Sequence, residues 1–221
     1  MDIVDPRIEE YAIAHSAAPR GEVAALRAEA ATLPVPEMAG GLIEVKLLEA
    51  LVVATRARRV LEIGTFAGVT ALSLAALLPE DGQLVTLEND PENAAIARRH
   101  FAASPHGARI RLIEGDAHES LATIDGPFDL VWIDAWKRDY GFYYDAVLPK
   151  LAEHGVIVAD NVLLSGDVID PRANDESTVA LRRFAAEVQA DPRVDNAMLT
   201  VADGLLVIWK RPPADAAVTH R

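Results

Sequence analysis

Two apolar runs in this chain end on side chains that could hold a metal ion. The run from Phe128 to Ile133 stops at Asp134-Ala135-Trp136-Lys137, and the run from Gly155 to Ala159 stops at Asp160-Asn161. If these runs are neighbouring parallel strands, their carboxyl ends lie side by side. Two carboxylates and an amide carbonyl then converge, a hard oxygen set that suits Mg²⁺, Ca²⁺ or Mn²⁺ better than Zn²⁺. Taken singly, each aspartate reads as a cap on the segment that follows, and Lys137 reads as a solvated surface charge. Their occurrence at the ends of consecutive strands favours the metal.

A second constellation precedes them. Val60-Leu61-Glu62-Ile63-Gly64-Thr65-Phe66-Ala67-Gly68 places two glycines four residues apart at a strand-to-helix turn. In open parallel sheets ligands bind at such turns, where glycine lets the backbone come close. A tight turn with glycines for packing alone is the plain alternative. A dinucleotide site is another, because Glu88 closes the next strand at the spacing of a ribose-binding acid. The turn is not GxGxxG, however, and Glu62 puts a carboxylate where a pyrophosphate would lie. A cationic ligand fits better, and S-adenosylmethionine, with its ammonium and sulfonium, is one whose ribose hydroxyls would still use Glu88. Asp116, in Glu114-Gly115-Asp116-Ala117, is either the edge of an adenine pocket or a helix N-cap.

Both constellations need a scaffold. Residues 58–63, 82–88, 108–114, 128–133 and 155–160 are short, mostly apolar, β-branched runs, and they alternate with helix-like segments at 68–78, 91–103, 117–124 and 138–152. That alternation predicts βαβ units and a parallel sheet covered on both faces. Three short helices lead in, starting at Asp5-Pro6, and the basic run at 56–59 reads as the end of the third. After a loop from Val162 come a helix over Glu176–Ala190 and two strand-like runs separated by Ala202-Asp203-Gly204, an antiparallel hairpin signal. The expected fold is α/β, a doubly wound seven-stranded Rossmann-like sheet preceded by helices. Residues 1–57 form the lead-in, 58–211 the main body and 212–221 a flexible tail.

Composition bounds the function. At 221 residues and 51% hydrophobic, the chain can bury one sizeable core. A net charge of -13 argues against nucleic acid or an anionic membrane as partner. With no cysteine, any metal must be held by oxygen or imidazole. The six histidines lack ligand spacing and read as surface or capping residues. The acidic N-terminus is unlike a signal peptide, so a cytoplasmic protein is expected.

In order, residues 60–72, 84–97, 114–117, 128–151, 155–168 and 201–210 resemble the cation-dependent O-methyltransferases, the family of the catechol and caffeoyl-coenzyme A O-methyltransferases. The resemblance runs from about Met38 to Lys210, and Asp160-Asn161-Val162 following Asp134-x-Trp136-Lys137 is its most specific part. It implies a class I S-adenosylmethionine-dependent methyltransferase. Asp134, Asp160 and Asn161 would be metal ligands and Lys137 the catalytic base. Glu62, Gly64 and Gly68 would enclose the methionine part of the cofactor, with Thr70 at its carboxylate and Met38, Thr65 and Phe66 as further cofactor contacts. Glu88 would meet the ribose, Asp116 and Ala117 form the adenine-side turn and Trp136 lie beside the adenine, with Asn89, Gly115 and Asp134 as further cofactor contacts. The acceptor would be a small catechol-like aromatic, and bacterial members suggest a homodimer. Three positions depart from the pattern: Val45 replaces a glycine, Ala135 a histidine and Val69 a tyrosine. An oxidoreductase using NAD(P) and a non-catalytic cofactor-binding protein are the rival readings.

Overall fold

The computed structural model describes residues 3–212; the tail expected from 212 onward otherwise lies outside the described residues. Helices α1 (Pro6–Ala14), α2 (Gly21–Ala30) and α3 (Leu42–Thr55) lead into β1 (Arg59–Ile63) and α4 (Val69–Ala75). Then follow β2 (Gln83–Glu88), α5 (Pro91–Ala103), β3 (Ile110–Glu114), α6 (Ala117–Thr123), β4 (Phe128–Ile133) and α7 (Tyr140–Val147). The chain closes with β5 (Leu151–Ala159), α8 (Glu176–Ala190), β6 (Val194–Leu199) and β7 (Leu205–Lys210).

The sheet has seven strands in the order β3-β2-β1-β4-β5-β7-β6. Strands β1 to β5 pair in parallel and β7 runs antiparallel to both β5 and β6. This is the doubly wound, Rossmann-like sheet with a terminal hairpin that the alternation predicts. Its strand order reverses between β1 and β4, the switch point where a ligand crevice opens at the carboxyl ends.

Strand alternation splits the core into two layers. Leu61, Ile63, Val131, Ile133 and Ile157 face Tyr140, Tyr143, Leu181 and Phe184 of α7 and α8. Val60, Leu130, Trp132 and Val158 face Leu26, Leu48, Leu72 and Phe101 of the other helical layer. Local chemistry starts the helices: Asp5, Asp90, Asp116 and Asp175 each accept a backbone N–H of the turn they begin.

Two local expectations change. The helix expected over 138–152 is α7 alone, flanked by 3-10 turns at Lys137–Asp139 and Leu148–Lys150, because Pro149 cannot continue the ladder and Leu151 already pairs with Phe128. The basic run at 56–59 does not finish α3. Arg56 adopts a left-handed cap (φ 54°), and Arg59 begins β1 with its guanidinium over the Phe128 ring. Among the described residues no helix is long and apolar enough to cross a membrane.

Candidate active site

Three backbone hydrogen bonds carry the sheet ladder one residue past the strands. Asp134 N–H donates to Ile63 O at 2.9 Å, Asp160 N–H to Ile133 O at 3.0 Å and Gly64 N–H to Leu87 O at 3.0 Å. Asp134 and Asp160 therefore sit on adjacent strand ends, as the sequence pattern required. Gly64 lies against them at φ 96°, and a Cβ there would come within 2.0 Å of Asp134 O, so only glycine permits this approach. Gly68 (φ 91°) answers a different demand. A Cβ on it would lie 2.6 Å from the Phe101 ring, so its bareness serves the packing of α4 on α5.

These ends open into a cavity of roughly 1510 Å³, larger than the ~300–1,000 Å³ of a typical single-ligand pocket. It has room for a nucleoside cofactor and a small acceptor together. Met38, Gly64, Thr65, Phe66, Thr70 and Glu88 line it, with Asn89, Gly115, Asp116 and Ala117 on the β2 and β3 side. Asp134, Trp136, Lys137, Asp160 and Asn161 line the β4 and β5 side. Glu62 and Gly68 are not in its wall. Glu62 shares its strand face with Val60, which turns it toward α4. It is 1% exposed, its Oε2 accepts from Thr86 Oγ1, and its Oε1 is a buried oxygen without a hydrogen-bond partner among the described residues.

Glu88 organises the turn. Its Oε2 accepts from Phe66 N–H at 2.6 Å and Thr65 N–H at 3.2 Å, and its Oε1 accepts from Asp90 N–H at 2.9 Å. A carboxylate has about four acceptor positions, so little of the expected two-pronged ribose fork stays open. Asp116 plays the capping role, accepting from His118 N–H at 2.8 Å, while also lining the cavity. Trp136 is 60% exposed with the Arg138 guanidinium 5.2 Å from its ring, which rules out a core role.

Lys137 is held from two sides. Its Nζ donates to Asp134 Oδ1 and to Tyr140 Oη, each at 2.9 Å. Tyr140 is fully buried, and its hydroxyl points at Asp160 O (3.0 Å) and Ile133 O (3.3 Å), tying Lys137 to both strand ends. Asp160 Oδ1 accepts from Asn161 N–H at 2.6 Å, and Asn161 takes a left-handed backbone (φ 52°) that asparagine tolerates well. The second oxygens of Asp134 and Asp160 and the Asn161 amide remain for a ligand. Among the described residues no three His, Cys, Asp or Glu side chains are grouped to hold a metal, so any metal here needs the Asn161 amide as third donor.

Burial and mutual repulsion favour the neutral forms of the acids gathered here. Burial, then Asp134 and Glu44, pushes the Asp160 carboxyl well up. Burial raises Glu44 and Glu88 as well, and takes Glu62 to about 8. Tyr140 rises through burial and the same two aspartates. The oxygen-rich ends of β4 and β5, with Asp134, Asp160 and Asn161 in one wall, fit a divalent cation beside a cofactor.

Three wall residues escaped the sequence reading. Glu44 is 5% exposed on α3, and since α3 also carries Lys46 and Glu49, nothing along the chain marks which of its charged residues faces inward. Tyr140 follows Lys137 by three residues, a spacing of about one helical turn. His118, expected at the surface or in a cap, stacks on Phe142 with ring centroids 4.0 Å apart and lines the cavity.

Residues 13–211 match the family described as O-methyltransferase. The chain belongs to the O-methyltransferase family. It is 34% identical over 158 residues to a catechol O-methyltransferase of Niastella koreensis, covering 70% of this chain and 72% of the relative. It is 32% identical over 166 residues to a probable caffeoyl-CoA O-methyltransferase of Dictyostelium discoideum, covering 72% of each. Among solved structures, the O-methyltransferase TomG of Streptomyces achromogenes, in complex with S-adenosylmethionine, superposes with a TM-score of 0.85 at 29% identity, over 93% of this chain and 96% of that one. In an O-methyltransferase the turn from Gly64 to Gly68 and the Glu88 acid need no dinucleotide to explain them.

Proposed function

We propose that this O-methyltransferase transfers the methyl group of S-adenosylmethionine to a hydroxyl of a small, catechol-like aromatic, with Mg²⁺ or a similar divalent cation. The observation that carries this reading is that one cavity wall holds both the Gly64–Phe66 turn braced by Glu88 and the set Asp134, Asp160, Asn161 and Lys137. The names of the relatives support it.

Asp134, Asp160 and Asn161 would hold the cation. Thr65, Phe66, Glu88, Asn89 and the Gly115–Ala117 turn would hold the cofactor, with Met38, Thr70 and Trp136 at its edges. Bound there, the cofactor supplies an electrophilic methyl group and the cation a Lewis acid that favours the ionised form of a vicinal diphenol. The chain's residues do the rest. Asp134 and Tyr140 hold Lys137 Nζ and leave one of its three positions for the acceptor. In its amine form Lys137 would take the hydroxyl proton there. Gly64 and the two strand ends fix the partners in place, which supplies much of the rate in an in-line transfer. A homodimer belongs to the same reading, and sedimentation tests it.

The test is incubation with S-adenosylmethionine and a panel of vicinal diphenols, read by mass spectrometry for one added methyl group. Methylation with Mg²⁺ that is lost in chelator is expected, and Asp160→Ala should lose the metal response. Activity persisting in chelator would remove the metal. Binding of S-adenosylhomocysteine without methylation of any diphenol would make the protein a non-catalytic binder.

A further inference from the structure

Between β5 and α8 the chain runs along the cavity without a strand or an α-helix. Asn161, Leu164 and Ser165 of this loop line the cavity, and Glu176 lines it at the start of α8. The loop backbone is unusual: Asn161 (φ 52°), Leu164 (φ 44°), Ser165 (φ 52°) and Gly166 (φ 88°) are all left-handed. A side chain such as that of Leu164 keeps this conformation only where its surroundings fix it. Asn161 is also one of the three donors proposed for the cation, so whatever fixes the loop fixes part of the seat of the acceptor.

Two anchors hold the loop. At its start Val162 N–H donates to Gly204 O at 3.1 Å, Leu163 N–H to Asp203 O at 3.0 Å and Ser165 N–H to Asp203 Oδ1 at 2.6 Å, tying it to the turn between β6 and β7. The rest hangs on one side chain of α8. Arg182 donates from Nε to Val168 O at 2.9 Å, from Nη1 to Ala173 O at 2.8 Å and from Nη2 to Asp167 O at 2.8 Å, with a further bond from Nη2 to Asp170 O. Four loop carbonyls thus converge on one guanidinium. Its five N–H donors lie in a rigid plane suited to this, whereas an ammonium has three and no plane. The helix that bears it is seated by Leu181 and Phe184, both in the buried core, and Leu164 and Val168 of the loop pack against the same core layer.

We propose that Arg182 is a positioning residue for methyl transfer: by gathering these carbonyls it holds the loop as a fixed wall beside the acceptor, and so decides which hydroxyl of the acceptor meets the cofactor. This rests on the diphenol reading above, which seats the acceptor at Asp134, Asp160 and Asn161. The residues proposed to hold the cofactor, Gly64–Phe66, Glu88 and Gly115–Ala117, lie at the ends of β1, β2 and β3. The four bonds of Arg182 all go to the loop, so loss of its fork should disturb the acceptor and spare the cofactor.

The experiment uses Arg182→Lys, which keeps the charge without the fork, and Arg182→Met, which keeps only the stem. The acceptor is 3,4-dihydroxybenzamide, whose two hydroxyls are inequivalent, and the readout is the ratio of its two O-methyl isomers formed with S-adenosylmethionine and Mg²⁺. The wild type should favour one isomer by at least about fivefold. Both variants should move toward an even mixture, with kcat/KM for the acceptor down about tenfold. S-adenosylhomocysteine affinity by calorimetry should stay at the wild-type value, which a general loss of structure would not allow. A near-even mixture from the wild type, or an isomer ratio that both variants retain, would overturn the proposal. So would a change seen in Arg182→Met alone, because it would trace the effect to charge and not to the fork. If the wild type methylates neither hydroxyl, the diphenol reading fails, and hydrogen exchange across residues 162–175 with S-adenosylhomocysteine bound decides the clamp by itself: faster exchange in Arg182→Lys than in the wild type supports it, and equal exchange ends it.

Discussion

Lys137 Nζ has three positions around it, and two already meet Asp134 Oδ1 and Tyr140 Oη. Lys137→Ala should lower kcat by roughly 10²–10⁴-fold and leave S-adenosylhomocysteine affinity intact by calorimetry; an unchanged rate would end its role as base. Tyr140→Phe keeps the buried ring but removes the hydroxyl that positions Lys137. Its kcat should fall by about tenfold, with KM for the cofactor unchanged; a change confined to KM would separate Tyr140 from the lysine. Glu62 offers a stability test. Burial raises its carboxyl from 4.5 to about 8, so the folded protein holds this proton more tightly than the unfolded chain. That contribution is complete below pH 4.5 and is lost as pH rises through 8. It should amount to roughly a few kcal/mol. Glu62→Gln should flatten the fall of Tm across that window, and an identical fall in the variant would show that Glu62 does not titrate there. At this scale the sequence marked Asp134, Asp160, Asn161, Lys137 and Glu88 as chemical by type and position. It could not show that Glu88 spends its oxygens bracing a turn, because those partners are backbone N–H groups.

The β1–α4 turn is the element on which the cavity depends. Gly64→Ala would force a Cβ to within 2.0 Å of Asp134 O from a backbone at φ 96°. The strain should cost more than about 2 kcal/mol, and displacement of Asp134 should depress both Tm and Mg²⁺ response. A variant with normal Tm and normal metal response would mean the turn relaxes freely. Gly68 carries the same spacing signal, yet its space is taken by Phe101. The motif was legible, but the division of labour between its glycines was not, since one neighbour is a strand end and the other a side chain of α5. Strands β1 to β5 and the hairpin were legible from apolar runs and turn residues. The start of β5 was not, because Leu151–His154 pairs at the edge of a register shift against β4 rather than by an apolar pattern of its own.

For the molecule as a whole, a cavity whose lining holds more acids than bases should make stability respond to cations and to cofactor. S-adenosylhomocysteine at a hundredfold excess over its Kd should stabilise the fold by about 2.7 kcal/mol, a rise in Tm of roughly 5–10 °C. Mg²⁺ should add to it, and Asp160→Ala should lose the Mg²⁺ increment while keeping the first; equal Mg²⁺ increments in both proteins would remove Asp160 as a ligand. The amino-acid sequence by itself determined the order of strands and helices, the absence of thiolate chemistry, the acidic balance and the side-chain types that gather at the strand ends. Those follow from side-chain type, hydrophobic period and local capping, which are written along the chain. The tertiary structure alone decided that Glu62 turns away from the cavity, that Gly68 serves packing, that Tyr140 braces Lys137 and that Glu44 stands in the cavity wall. Each of these depends on which strand face or helix side meets a partner distant in sequence, and that is settled only when the sheet closes around its switch point.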